Sequence, residues 1–319
     1  MFLVSVIIPM YNSSEFIKET LNSVSDQTYK DIEIIVVDDN STDGCFELVN
    51  KLNRPNLKLV KNPRKGACAA RNYGFEISKG EYIQYLDADD LLSPNKIHDQ
   101  MNLASKFGLN AIYFCEWIRF VGFIDEYATN HQFINKNYDQ AYMWLNDSWS
   151  GKGMAAVHSW LVPRQIIIMA GQWNEDLLIN QDGEFFTRVL VNASSIKYAT
   201  SAKVYYRSGN PDSISQSQNT SWVKADSLLN SLILNKKTCS DYGLTDELKE
   251  GLGYTFLNFI YRNFNVHSDL VAKAKFHFYD LGYMKMWPVG GENFKKGAKL
   301  IGFLPMLKIK SYILNVIKF

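Results

Sequence analysis

Over residues 1–110, short runs of β-branched and aromatic residues alternate with stretches that carry apolar residues at helical spacing. Val4–Ile8 and Ile32–Val37 are nearly continuous apolar runs, the pattern of strands buried on both faces. Leu57–Val60 and Tyr82–Leu86 predict two more strands. Glu15–Val24, residues 41–52, Ala67–Ser78 and residues 94–107 predict the intervening helices. In the first of them Phe16, Ile17, Leu21 and Val24 fall at helical spacing behind Ser14; Ser41 suits the cap of the second and Pro94 the first turn of the fourth. This alternation restricts the chain to an α/β fold built on a mostly parallel, Rossmann-like sheet with helices on both faces. Ligands of such sheets bind beyond the carboxyl ends of the strands. Pro9–Asn12, Asp38-Asp39 and Asp87–Asp90 all follow strands, so they are expected on one rim although far apart in sequence.

After residue 110 the alternation loosens. Residues 157–162 and 196–206 read as strands, and 138–145 and 183–191 as helices. From residue 221 the pattern is mostly helical, with segments near 222–238, 245–264 and 268–281. The 319 residues, 46% of them hydrophobic, are enough to bury a large core without staples. A net charge of +1 indicates no nucleic-acid partner. The four cysteines, Cys45, Cys68, Cys115 and Cys239, lack paired spacing and suit a reducing, cytoplasmic compartment. The apolar start lacks the basic residues of a signal peptide and meets Pro9 early. No run approaches the ~18 apolar residues of a membrane span; the best candidate, 111–124, is broken by Glu116 and Arg119. The stretch 295–319 holds six lysines and no acid. Two readings of it stand: an amphipathic segment in peripheral contact with an anionic membrane face, or a terminal helix packed on the domain with solvated lysines.

Three carboxylates, Asp87, Asp89 and Asp90, end a strand that reads as buried. Like charges this close repel, so a divalent cation such as Mg²⁺ or Mn²⁺, shared with substrate phosphates, would suit them; a solvated acidic loop is the plainer reading. Asp39 can accept from a nucleobase N–H or a ribose hydroxyl, or serve only the turn. The segment 62–72 joins a basic turn, Gly66 and a helix start, an anion-favouring arrangement in which Arg71 lies one turn in.

The segments 5-SVIIPMYN-12, 35-IVVDDNSTD-43, 66-GACAARNYG-74 and 80-GEYIQYLDADD-90, in this order and spacing, closely resemble the nucleotide-sugar-binding half of family 2 glycosyltransferases of the GT-A fold. The resemblance implies that Pro9 and Tyr11 line the base pocket and that Asp39 binds the base. Arg71 would approach the base or diphosphate, and Asp87 and Asp89 would serve ribose and metal, with Asp90 sharing the metal role. More weakly, 171–190 resembles the family's acceptor side, with Gln181-Asp182 where Glu-Asp is usual. Asp182 is then the expected general base of an inverting transfer, with helix capping as its alternative role and Glu175, Asp176 and Glu184 as competitors. The segment 204–217 resembles the Tyr-Arg stretch that closes over the diphosphate, making Arg207 its cation; Ser208 and Gly209 stand where some members place a metal-binding His. His158 and Trp160 are candidates for the acceptor pocket.

The resemblance implies a catalytic domain over 1–217, divided at 110 into donor and acceptor halves, and a helical extension over 218–319. The donor would be a nucleotide-diphosphate sugar, UDP-linked by preference. The acceptor would be a glycan or lipid-linked glycan of cell-surface polysaccharide or glycolipid synthesis. A nucleotidyltransferase would carry a glycine-rich loop after the first strand, where this chain has Pro9-Met10-Tyr11-Asn12-Ser13-Ser14. A processive synthase would carry Gln-x-x-Arg-Trp and membrane spans. A catalytically silent binding or scaffold protein would not require both the acid cluster and Asp182.

Overall fold

The structure, a computed structural model, describes residues 2–125, 128–209 and 221–317. Eight strands form one sheet: β1 (Val4–Met10), β2 (Ile32–Asp38), β3 (Leu57–Lys61), β4 (Tyr82–Tyr85), β5 (Leu91–Leu92), β6 (Ala111–Phe120), β7 (Trp160–Pro163) and β8 (Ser195–Arg207). Their order is β3-β2-β1-β4-β7-β6-β8-β5. The first four run parallel. β7 pairs antiparallel with both β4 and β6, and β6 and β8 are parallel again. The apolar run at 111–124 is therefore largely the long strand β6, in which every residue except Arg119 is buried.

Alternate residues of the central strands feed two cores. Val4, Val6 and Ile8 pack on one side with Ile17, Leu21 and Ile97, and Ile7 packs on the other with Ile83, Tyr85 and Phe114. Burial on both faces is why these strands read as continuous apolar runs rather than as alternating ones. The first core is covered by α1 (Ile17–Ser25), α2 (Cys45–Lys51) and, after α3 (Ala67–Ile77), α4 (Lys96–Phe107). The second extends through α5 (Met143–Asp147), α6 (Arg164–Ala170) and α7 (Gln181–Asn192) into the C-terminal helices. Those are α8 (Trp222–Tyr242), α9 (Asp246–Asn263), α10 (Ser268–Asp280), α11 (Glu292–Ile301) and α12 (Phe303–Ile317). Leu229, Phe256, Phe278, Phe303 and Leu307 belong to the same apolar cluster as Phe114 and Phe185. The expected division at 217/218 lies outside the described residues. No described helix is long and apolar enough to cross a membrane.

Two expected caps are replaced. Ser14 does not cap α1, which begins at Ile17 with the Ser13 carbonyl accepting from Phe16 and Ile17. Ser41 does not cap α2, which follows Gly44 in the left-handed region (φ 84°). Asp43 meets the first N–H of α2 instead, while Ser41 serves a contact between loops.

Candidate active site

Strand pairing sets the rim. Met10 lies opposite Asp38, and Ile7 opposite Tyr85, so the loops after β1, β2 and β4 leave the sheet side by side. Hydrogen bonds then cross-link them. The Asn12 N–H donates to Ser41 Oγ (3.0 Å), and Asn12 Oδ1 accepts from the Thr42 N–H (2.8 Å). Asp43 accepts from the Ser14 N–H (2.7 Å) and the Cys45 N–H (3.1 Å). Asn12 adopts φ 46°, a left-handed conformation that Asn tolerates through such local bonds. These contacts hold Asp43 at about 2, a carboxylate that stays charged.

Asp39 is tied to the loop after β3: its two oxygens accept from Asn62 Nδ2 and the Gly66 N–H, each at 2.8 Å. Gly66, at φ 101°, opens α3. A ligand donor at Asp39 would use the remaining lone pairs. Pro9 is half-buried at the end of β1, and Tyr11 is 62% exposed beside the same loops. Both readings of Asp39, base binder and turn former, are compatible with its place, and the turn bonds are the ones present.

Arg71 is the pivot of the site. It is 7% exposed and donates through Nη2 to Asp87 Oδ1 at 2.7 Å. Its guanidinium lies over the Trp173 ring, 4.6 Å from the centroid, a cation–π contact worth ~0.5–2 kcal/mol. Burial opposes its charge, yet Asp87, followed by Cys68 and Asp182, leaves its pKa raised. Trp173 stacks on Phe185 of α7 at 4.1 Å and meets Tyr85 edge-on. The aromatic platform under Arg71 thus spans the donor half and the helix that carries Asp182.

Asp182 sits in the first turn of α7, after Asn180 in the left-handed region (φ 57°). Burial pushes its carboxyl up from the ordinary range, opposed by the Gly183 N–H and the charge of Arg71. It is both a helix-start carboxylate and a neighbour of Arg71. The competitors are otherwise engaged. Glu184 is buried and paired with Arg188 at 2.7 Å. Glu175 pairs with Arg64 at 3.1 Å and accepts from Asn72. Asp176 lines a separate cleft of ≈ 250 Å³ beside Leu178 and Asp226.

The three acids of the opening motif part company. Asp87 faces Arg71. Asp89 is half-buried, no described side chain bonds its carboxylate, and burial together with the charge of Asp87 pushes it up to about 6. Asp90, expected to share the metal role, is 1% exposed and turned inward. Its Oδ1 accepts from the Arg207 N–H at 2.7 Å, and its Oδ2 stands 3.3 Å from His158 Nδ1 without hydrogen-bond geometry. The reason is the short pairing of β5 with β8, which swings the chain after Asp89 into the core. Among the described residues, no group of three or more His, Cys, Asp or Glu is arranged to hold a metal. What remains is a pair of hard oxygen donors, Asp87 and Asp89, which fits a cation taking its other ligands from a substrate or water rather than a protein cage.

Arg207 lies against the same loop. Its Nε donates to the Asp89 carbonyl at 2.8 Å and its Nη2 to Glu19 at 2.5 Å, between the Phe16 and Phe120 rings. The rest of the Tyr-Arg stretch, from 210, lies outside the described residues. His158 and Trp160 do not line an acceptor pocket; they are 0% and 2% exposed, and Trp160 packs among Phe114, Trp144 and Phe186.

Sequence reasoning passed over two residues that organise the site. Asn72, 1% exposed, accepts from the Trp173 N–H (2.8 Å) and donates to the Trp173 carbonyl and Glu175 (each 2.9 Å). It clips α3 to the loop before α7. Its only sequence signal was a polar residue beside Arg71 in an otherwise apolar helix start. Trp173 had none beyond its size.

The fold is of the GT-A type. In overall structure the chain is similar to TarS of S. aureus crystallised with UDP-GlcNAc (residues 1–349), with a TM-score of 0.69 and 18% identity over 88% of this chain and 81% of that one. The chain belongs to glycosyl transferase family 2, whose model matches residues 5–166, just over half of it. Among curated proteins, 103 residues (32% of this chain) are 45% identical to the Escherichia coli UDP-Glc:alpha-D-GlcNAc-diphosphoundecaprenol beta-1,3-glucosyltransferase WfaP, of which they span 41%. A further 97 residues' match, 38% identical, joins 30% of this chain to 10% of the Pasteurella multocida chondroitin synthase.

Proposed function

We propose that this glycosyltransferase inverts at the anomeric carbon, moving a sugar from UDP to a hydroxyl of a lipid-linked glycan during cell-surface polysaccharide or glycolipid assembly in the cytoplasm. The single observation that carries this reading is the sharing of Arg71: one buried guanidinium grips Asp87 on the donor rim and also feels the charge of Asp182 at the start of α7. A donor sugar between them would have the leaving diphosphate on one side and a carboxylate on the other, the arrangement that in-line displacement needs. UDP is favoured because TarS was crystallised with UDP-GlcNAc and the E. coli relative is named for UDP-Glc. The lipid-linked acceptor is favoured by that relative's name.

In this mechanism Asp182 takes the proton of the acceptor hydroxyl as it attacks. Its carboxyl, pushed up by burial, is a stronger base than an exposed carboxylate. Pro9, Tyr11 and Asp39 receive the base, and Arg71 and Arg207 face the diphosphate. Asp87 and Asp89 would hold a Mg²⁺ or Mn²⁺ ion, whose chemistry is to neutralise the charge that grows on the leaving group. Asp90 positions the loop from behind. The transition state carries oxocarbenium character.

The test pairs two variants. Asp182→Asn is expected to keep UDP-sugar binding by calorimetry and to lose transfer by ~10²–10⁴-fold. Asp89→Ala is expected to lose the Mn²⁺ dependence of that binding. Wild-type turnover in Asp182→Asn, or UDP binding by the wild type with no transfer to any lipid-linked acceptor, would overturn the reading.

A further inference from the structure

We infer that α11 and α12 form a docking face for an anionic lipid surface. The two helices are joined by a single residue, Gly302, in the left-handed region (φ 94°). They pack closely where Gly297 meets Met306; a Cβ on Gly297 would come within 2.8 Å of that Sδ. Their inward side is accounted for: Phe294, Ala298, Phe303 and Leu307 are buried in the main apolar cluster.

The outward side is also apolar. Ile309, Tyr312 and Ile313 recur at the i, i+3, i+4 spacing of one helical stripe and are 43%, 73% and 49% exposed. Leu300 and Ile301, at the end of α11, are 86% and 48% exposed. A helix apolar on both sides is normally covered on both. What covers this one is indicated by charge. Lys295, Lys296, Lys299 and Lys308 are exposed around these residues, and Lys310 lies over the Tyr261 ring. No Asp or Glu follows Glu292. The six lysines from 295 onward exceed the net charge of the whole chain, +1, so the remainder is net acidic. Apolar side chains among lysines, with a tyrosine at the boundary, match a leaflet that offers phosphate headgroups above acyl chains. A protein partner with an apolar patch would not require acids to be excluded from the whole segment.

The attraction of these lysines to such a surface is electrostatic and therefore screened by salt. The proposal rests on the lipid-linked acceptor reading for its purpose only, and its test uses neither donor nor acceptor. Full-length protein is floated with vesicles of phosphatidylcholine alone or mixed with phosphatidylglycerol, at low and high salt. The wild type is expected to float at least tenfold more with the anionic vesicles and to be released by salt. Leu300→Glu with Ile309→Glu and Tyr312→Glu is expected to abolish flotation. Lys295, Lys296, Lys299 and Lys308 changed together to Gln, which leaves every apolar contact in place, is expected to remove the preference for anionic lipid. Both variants should keep the cooperative thermal unfolding transition of the wild type, showing that they fold. Equal flotation of wild type and variants, no binding to anionic vesicles, or a wild-type dimer that the glutamate variant splits would each overturn the proposal, the last in favour of a second copy on this face.

Discussion

Replacing Asn72 by Ala removes a clip without touching any group proposed to meet the substrate. Asn72 is 1% exposed and Trp173 2%. The change leaves the Trp173 N–H and carbonyl, now bonded to Asn72 at 2.8 and 2.9 Å, without partners. A buried backbone group so abandoned costs ~1–3 kcal/mol, so two cost ~2–6 kcal/mol. The third bond, to the part-exposed Glu175, adds little because water replaces it. Urea unfolding of wild type and variant measures the loss. The same change frees the loop that carries Trp173, and with it the platform of Arg71 and the approach to Asp182. A displacement of ~1 Å at a reacting group costs ~10²-fold, so kcat should fall far more than donor KM rises. A variant within ~0.5 kcal/mol of wild type, or one whose loss is entirely in KM, would refute this chain of reasoning.

Trp173→Leu should lower kcat by about 2–30-fold, the ~0.5–2 kcal/mol of its contact with Arg71, and Trp173→Phe should restore most of it in steady-state assays. Lys96 is fully buried with its ammonium on Gln84, and burial drives its pKa from 10.5 to about 7. The unfolded chain keeps that proton up to about pH 10.5, so stability should climb by ~1.4 kcal/mol per pH unit from pH ~7.5 to ~9.5; Lys96→Met should flatten the climb in urea titrations. Gly74→Ala would set a Cβ 2.4 Å from Ile7 Cγ2, between α3 and β1, and should cost ~1–3 kcal/mol by overpacking, read as a lowered unfolding midpoint.

Much of the donor half could be read directly from the chain. Val4–Ile8 and Ile32–Val37 announce strands because burial on both faces leaves no polar alternation, and β1 and β2 extend those runs by two residues and one. Parallel strands then bring Asn12, Asp39 and Asp87 to one edge. What escaped was decided by partners distant in sequence. Asp90 turns inward because two residues, Leu91 and Leu92, pair with Tyr205 and Val204; a strand that short has no periodicity. Ser41 was a plausible cap, but its hydroxyl serves Asn12, because loop hydroxyls and carboxylates choose between local helix ends and neighbouring loops on geometry alone. His158, a candidate for the acceptor pocket, lies behind Asp90 at 0% exposure, and Lys96, which looks like a surface residue in sequence, is equally buried against Gln84. Within the stretch 295–319, Phe303 and Leu307 pack on the domain as one of its two readings expects, while Ile309 and Tyr312 stay exposed.

The bonds among Asn12, Ser41, Thr42, Ser14 and Asp43 have a thermodynamic consequence. Loops stitched together in this way surrender their freedom as the chain folds rather than when a nucleotide arrives. An encounter at this end of the sheet then needs little rearrangement, so association should be quick, and differences among nucleotides should show in how long each one stays.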